Sequence, residues 1–71
     1  MLYEITIWRR TATGAVQLLA THHELGHIDT VKEAAKQMLR DHPGAGPAHH
    51  VKVSEAHNGR EVLVWKLGGR S

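Results

Sequence analysis

Asp29-Thr30-Val31-Lys32-Glu33-Ala34-Ala35-Lys36-Gln37-Met38-Leu39-Arg40-Asp41-His42-Pro43 is the stretch that decides the fold. Thr30 can cap a helix, and Glu33, three residues on, can reach back to the cap's N–H as a capping box. Val31, Ala34, Ala35, Met38 and Leu39 then fall at helical spacing on one side, while Lys32, Glu33, Lys36, Gln37 and Arg40 occupy the other. That division is what a helix lying on an apolar layer requires. The helix is expected to end near Asp41-His42, because Pro43 pushes the residue before it out of helical angles and Gly44-Ala45-Gly46-Pro47 continues as a flexible crossing.

The residues on either side of this helix alternate with period two. From Leu2 to Arg10, Tyr3, Ile5 and Ile7 lie on one side and Glu4, Thr6 and Trp8 on the other, which reads as a strand. Thr11-Ala12-Thr13-Gly14 supplies turn chemistry, and Ala15 to about His22 resumes an extended pattern, completing a hairpin. After the helix, His49 to Ala56 alternates Val51 and Val53 against His50, Lys52 and Ser54. Asn58-Gly59 predicts a type I′ turn into a last strand, Glu61 to Leu67, and residues 68–71 are expected to fray.

These elements give a single α+β domain over residues 1–71, in ββαββ order, with a four-stranded, mainly antiparallel sheet and one helix packed on one face. One helix covers one side only. The covered side is expected to gather Ile5, Ile7, Leu18, Val51, Val53, Leu63, Trp65 and Leu67 under Val31, Ala35, Met38 and Leu39. The uncovered side would present Thr6, Trp8, Arg10, Gln17, Leu19, His50, Lys52, Val62, Val64 and Lys66, leaving an aromatic and several aliphatics facing water.

Composition narrows the classes of function. Seventy-one residues leave room for one domain, which at this size buries only roughly 60% of the surface its unfolded chain exposes. The absence of cysteine removes disulfides, thiolate metal sites and cysteine nucleophiles, so apolar packing or oligomerisation must support the small core. No apolar run reaches membrane-span length, and Met1-Leu2-Tyr3-Glu4 lacks a secretory pattern, so the chain reads as cytoplasmic. A formal net charge of +2 permits nucleic-acid contact without arguing for it.

His23-Glu24-Leu25-Gly26-His27 satisfies H-E-x-x-H and so resembles the zinc-metalloprotease signature. The resemblance implies His23 and His27 as zinc ligands, because a helix stacks positions i and i+4, with Glu24 as general base. The motif lies ahead of the Thr30 cap, outside helical geometry, and neither the glycine nor the third histidine of the extended pattern follows. In a chain with seven histidines a chance match is the plain reading, and no cofactor or metal is expected. A second resemblance covers Leu25 to Ala35. That fragment is similar to the strand-to-helix junction of AP2-type DNA-binding domains, in which a sheet reads DNA and a helix backs it. The element order here, two strands on each side of the helix, departs from that family, and no function is carried across.

Two surfaces remain. Lys32, Lys36 and Arg40 stand at i, i+4 and i+8 as a basic stripe, although Glu33, Gln37 and Asp41 run beside it as on an ordinary solvated helix face. On the open sheet face, Trp8, Leu19, Val62 and Val64 have the composition of an interface core rimmed by Arg10, Lys52 and Lys66. The leading expectation is therefore a non-enzymatic interaction domain that self-associates or binds a protein through this face, away from any membrane. The alternative is a nucleic-acid-binding domain using Trp8, Arg10, Lys52 and Lys66, or the helix stripe. A zinc hydrolase is a distant third.

Overall fold

The computed structural model describes residues 1–67, and the tail expected to fray lies outside them. The elements are β1 (Leu2–Arg10), β2 (Val16–Leu25), α1 (Ile28–Asp41), β3 (His49–Glu55) and β4 (Glu61–Lys66). They build one four-stranded sheet in the order β2-β1-β3-β4, with every neighbouring pair antiparallel. Because β2 and β3 both run against β1, they are parallel to each other. The β2–α1–β3 connection must therefore cross over β1, which lays the helix on one face of the sheet.

The core follows from the two periodicities. Val31, Ala35 and Leu39, at successive helical turns, and Ile5, Val51 and Val53, at alternate strand positions, have no solvent exposure, and Tyr3 and Ile7 are buried beside them. The register matches these sets, with Ile5 opposite Val53 and Ile7 opposite Val51. Each aliphatic side chain removed from water in this way contributes about 1.5–3 kcal/mol. On the helix side of β2, an open groove of about 440 Å³ remains between the sheet and the helix flank, lined by residues that include Ile7, Ala20, Ala34 and Met38.

The helix begins earlier than the capping box suggests. His27, not Thr30, is the N-cap, and its Nδ1 accepts a hydrogen bond from the Asp29 N–H at 3.2 Å. Ile28 thereby joins the helix and packs against the core. Strand β2 also runs on to Leu25, past the expected end at His22. At the far end, His42 is extended before Pro43, and the Ala45 N–H donates to the His42 carbonyl at 3.1 Å across a turn in which Gly44 takes φ +76°. Proline second and a positive-φ glycine third are the signature of a type II turn.

The second hairpin is not a two-residue type I′ turn. Asn58 does not take positive φ, and the loop is longer, closed by Gly59 N–H to Glu55 C=O and Glu55 N–H to Arg60 C=O, both 2.8 Å. Gly59 alone adopts φ +73°, while the Asn58 carboxamide oxygen accepts from the Arg60 N–H at 2.8 Å. Asparagine acts here through its side chain.

Two irregularities alter which residues face which way. Ile7 pairs with Ala20 and Trp8 with Leu18, leaving Leu19 as the extra residue of a bulge. Likewise Val53 pairs with Leu63 and Ser54 with Glu61, leaving Val62 unpaired. One inserted residue reverses the alternation beyond it. Leu18, expected in the core, consequently faces outward at 48% exposure opposite Trp8, and Leu19 and Val62 pack against the core. Gln17, expected on the uncovered side, pairs instead with Arg9, whose Nη2 donates to its Oε1 at 2.8 Å.

Candidate binding surface on the open sheet face

The even-numbered residues of β1 present Glu4, Thr6, Trp8 and Arg10 away from the helix, and the register brings His50 opposite Trp8 and Lys52 opposite Thr6. On β4, Lys66 lies opposite His50 and Val64 opposite Lys52. Across the strands this places an indole and four nitrogen-bearing side chains, Arg10, His50, Lys52 and Lys66, on one surface. Leu18 and Val16 border it on the β2 side, paired with Trp8 and Arg10.

Trp8 is held in a defined pose. Its Nε1–H donates to Thr6 Oγ1 at 2.9 Å, and Thr6, buried itself, donates in turn to the Lys52 carbonyl at 3.4 Å. The indole is half-buried, its plane within 8° of the His50 ring and their centroids 6.4 Å apart. Lys52 Nζ lies 5.4 Å from the Trp8 ring centroid and 3.5 Å from Glu61 Oε2. The ring thus carries a cation on a flexible stem, a contact worth about 0.5–1 kcal/mol at an exposed site and easily exchanged for another π partner.

The electrostatics of the face can be read at His50. Its pKa lies below the usual 6.5, first because burial penalises the charged ring and then because Lys52, Lys66 and Arg10 repel a further proton, against the single opposing pull of Glu61. Three separate cations acting on one imidazole mark a locally positive field.

The four cation-and-aromatic candidates, Trp8, Arg10, Lys52 and Lys66, therefore come together as the alternation suggested. Of the aliphatic candidates only Val64, at 48% exposure, stays on this face, since the bulges take Leu19 and Val62 to the other side. Leu18 and Val16 stand in their place. His50, at the centre of the cluster, was expected on this face from its alternation with Lys52 but was not among the candidate binding residues. The signal that singles it out is the register that sets it opposite Trp8, which the sequence alone does not give.

The helix stripe does not form a free row. Lys36 Nζ lies 3.6 Å from Glu33 Oε2, and Lys36 and Arg40 sit 5.9 and 5.1 Å from the Trp65 ring centroid, covering the edge of the core. Their aliphatic stems shield that indole.

The zinc-like pentapeptide is also accounted for. His23 lies on β2 with Nε2 3.3 Å from Glu4 Oε2, Glu24 pairs with His22 at 2.9 Å, and His27 caps the helix. His23 and Glu24 are neighbours on a strand and point to opposite faces, so the ligand-and-base geometry of a zinc helix is absent. Among the described residues no group of three histidine, cysteine or acidic side chains is placed to hold a metal ion. His49, buried on β3, uses Nδ1 to accept from the Gly46 N–H at 3.1 Å and so fixes the loop before it.

Among the described residues, no helix is long and apolar enough to cross a membrane. Comparison with protein-family models, with curated proteins and with solved structures finds no match to this chain.

Proposed function

We propose that this chain is a cytoplasmic, non-enzymatic binding module that takes single-stranded nucleic acid on its open sheet face. Trp8 provides a stacking plane for one base, and Arg10, Lys52, Lys66 and His50 provide a path for the backbone around it. The observation that carries this reading is the geometry of the face, where the register sets His50 beside the Trp8 indole and Lys66, with Lys52 over the indole and Arg10 sharing a recess with His50 and Lys66. On stacking, Lys52 exchanges its contact with the ring for one with a phosphate, which costs little because the two contacts are of similar strength.

A second reading, association through the same face with another copy or another protein, is favoured by the exposure of Leu18, Val16 and Val64. Pairing two copies about a two-fold axis would bring the cation cluster of each towards that of the other, and like charges placed together without solvent are costly. The face is therefore better matched to a polyanion than to itself.

Fluorescence anisotropy with labelled single-stranded DNA and RNA, alongside light scattering, separates the two. The expected outcome is a monomer that binds at low salt and weakens with a log–log salt slope of roughly −2, as about three phosphate contacts on a single strand give. A stable dimer with no oligonucleotide affinity at low salt would replace the first reading with the second.

A further inference from the structure

We infer that the recess at the end of the sheet lined by Arg10, Pro47, Ala48, His49, His50 and Lys66 is a phosphate-group site. The inference rests on the strand-binding reading and names where one phosphate of the strand is held. Three strands deliver the side chains, since Arg10 closes β1, His50 stands near the start of β3 and Lys66 closes β4 opposite His50. The Arg10 N–H donates to the Ala48 carbonyl at 2.8 Å, tying the loop to the strand end so that the recess has a fixed wall. The cavity measures about 60 Å³, enough for a few waters or one tetrahedral oxyanion and too small for a base.

Charge completes the case. No carboxylate lines the recess. Among the described residues, neither Arg10 nor Lys66 makes an ion pair, whereas Lys36 and Lys52 each have a glutamate partner. An oxyanion here would meet a guanidinium, an ammonium and an imidazole from three directions. It would also reverse the balance at His50, which now faces Lys52 on its own strand, Arg10 on β1, Lys66 on β4 and only Glu61 in opposition. Filling the site therefore draws a proton onto His50, and anion binding must strengthen as pH falls.

The test is a sulfate titration of the whole chain followed by two-dimensional amide NMR at pH 7.5 and 5.5, sulfate keeping its charge over that range. The expected result is saturable shifts centred on Arg10, Ala48, His50 and Lys66, with severalfold tighter binding at the lower pH. Lys66→Gln should bind about tenfold more weakly. His50→Gln should keep measurable binding and lose its pH dependence, and Arg60→Gln, in the β3–β4 loop, should change neither. Shifts scattered over every cation, or an affinity untouched by Lys66→Gln, would overturn the site. Sulfate held at these residues by a chain that ignores oligonucleotides would uphold the site and remove the strand-binding reading. Oligonucleotide binding unaffected by Arg10→Gln and Lys66→Gln would do the reverse.

Discussion

Ile7 and Trp8 are neighbours on β1 that meet opposite conditions. Ile7 is buried at the edge of a core built of aliphatic side chains with Tyr3, a cluster that carries no charge. Trp8 lies half-open among Arg10, His50, Lys52 and Lys66, held by one hydrogen bond to Thr6 and a movable ammonium. The covered face gains its free energy from exclusion of water and tolerates little change, while the open face keeps polar groups whose partners can be exchanged. In so small a domain, the packed face and the polar face proposed to bind are separated by the pleat of the strands.

The largest expected effect tests the covered side. Leu39→Ala should lower unfolding free energy by about 2–5 kcal/mol in a denaturant titration, since Leu39 has no exposure and leaves a cavity among packed neighbours. Trp8→Ala should cost less stability than this, yet remove about 1–3 kcal/mol of single-strand affinity measured by anisotropy. If Trp8→Ala proved as unfolding as Leu39→Ala, the division between the faces would collapse.

Acidification probes the open face through His50. The folded pKa of His50 is below that of the unfolded chain, so the folded state binds the proton less readily. Its contribution to stability is complete above about pH 6.5 and is lost as pH falls from there through the lower folded value. Thermal unfolding followed from pH 7.5 to 5.5 should decline less steeply in His50→Gln than in the parent chain. Equal slopes would mean that burial and the three cations together place no net penalty on the charged ring.

The smallest effect concerns the helix start. His27 caps through an exposed imidazole at 3.2 Å, a weaker arrangement than a hydroxyl close to the backbone. His27→Ser should raise stability by about 0.5 kcal/mol, measured by chemical denaturation. A loss instead would assign the imidazole a role beyond the cap.

Much of this arrangement is legible in the letters. Alternation located all four strands, and Val31, Ala35 and Leu39 identified the buried stripe of the helix, because periodicity reports directly on which side meets the core. The cation group around Trp8 was legible for the same reason, as Lys52 and Lys66 keep phase with one another through the register. The facing of Leu18, Leu19 and Val62 was not, since a bulge depends on how two strands settle against each other and a single strand's pattern does not record it. The capping box at Thr30 misled because its letters suit a first turn equally well when the helix has already begun. The recess beside His50 required three strands and a loop that lie far apart in sequence.

The crossover of β2–α1–β3 also governs how the chain reaches this form. Each hairpin joins near neighbours and can close on a microsecond scale. The central β1–β3 pairing links residues such as Thr6 and Lys52, separated by 46 positions, so it must await closure of a long loop. Those are the strands that carry Trp8 and His50. The indole and imidazole are therefore brought side by side by the pairing of highest loop-closure cost, so the surface proposed to bind depends on the long-range half of the fold and not on either hairpin alone.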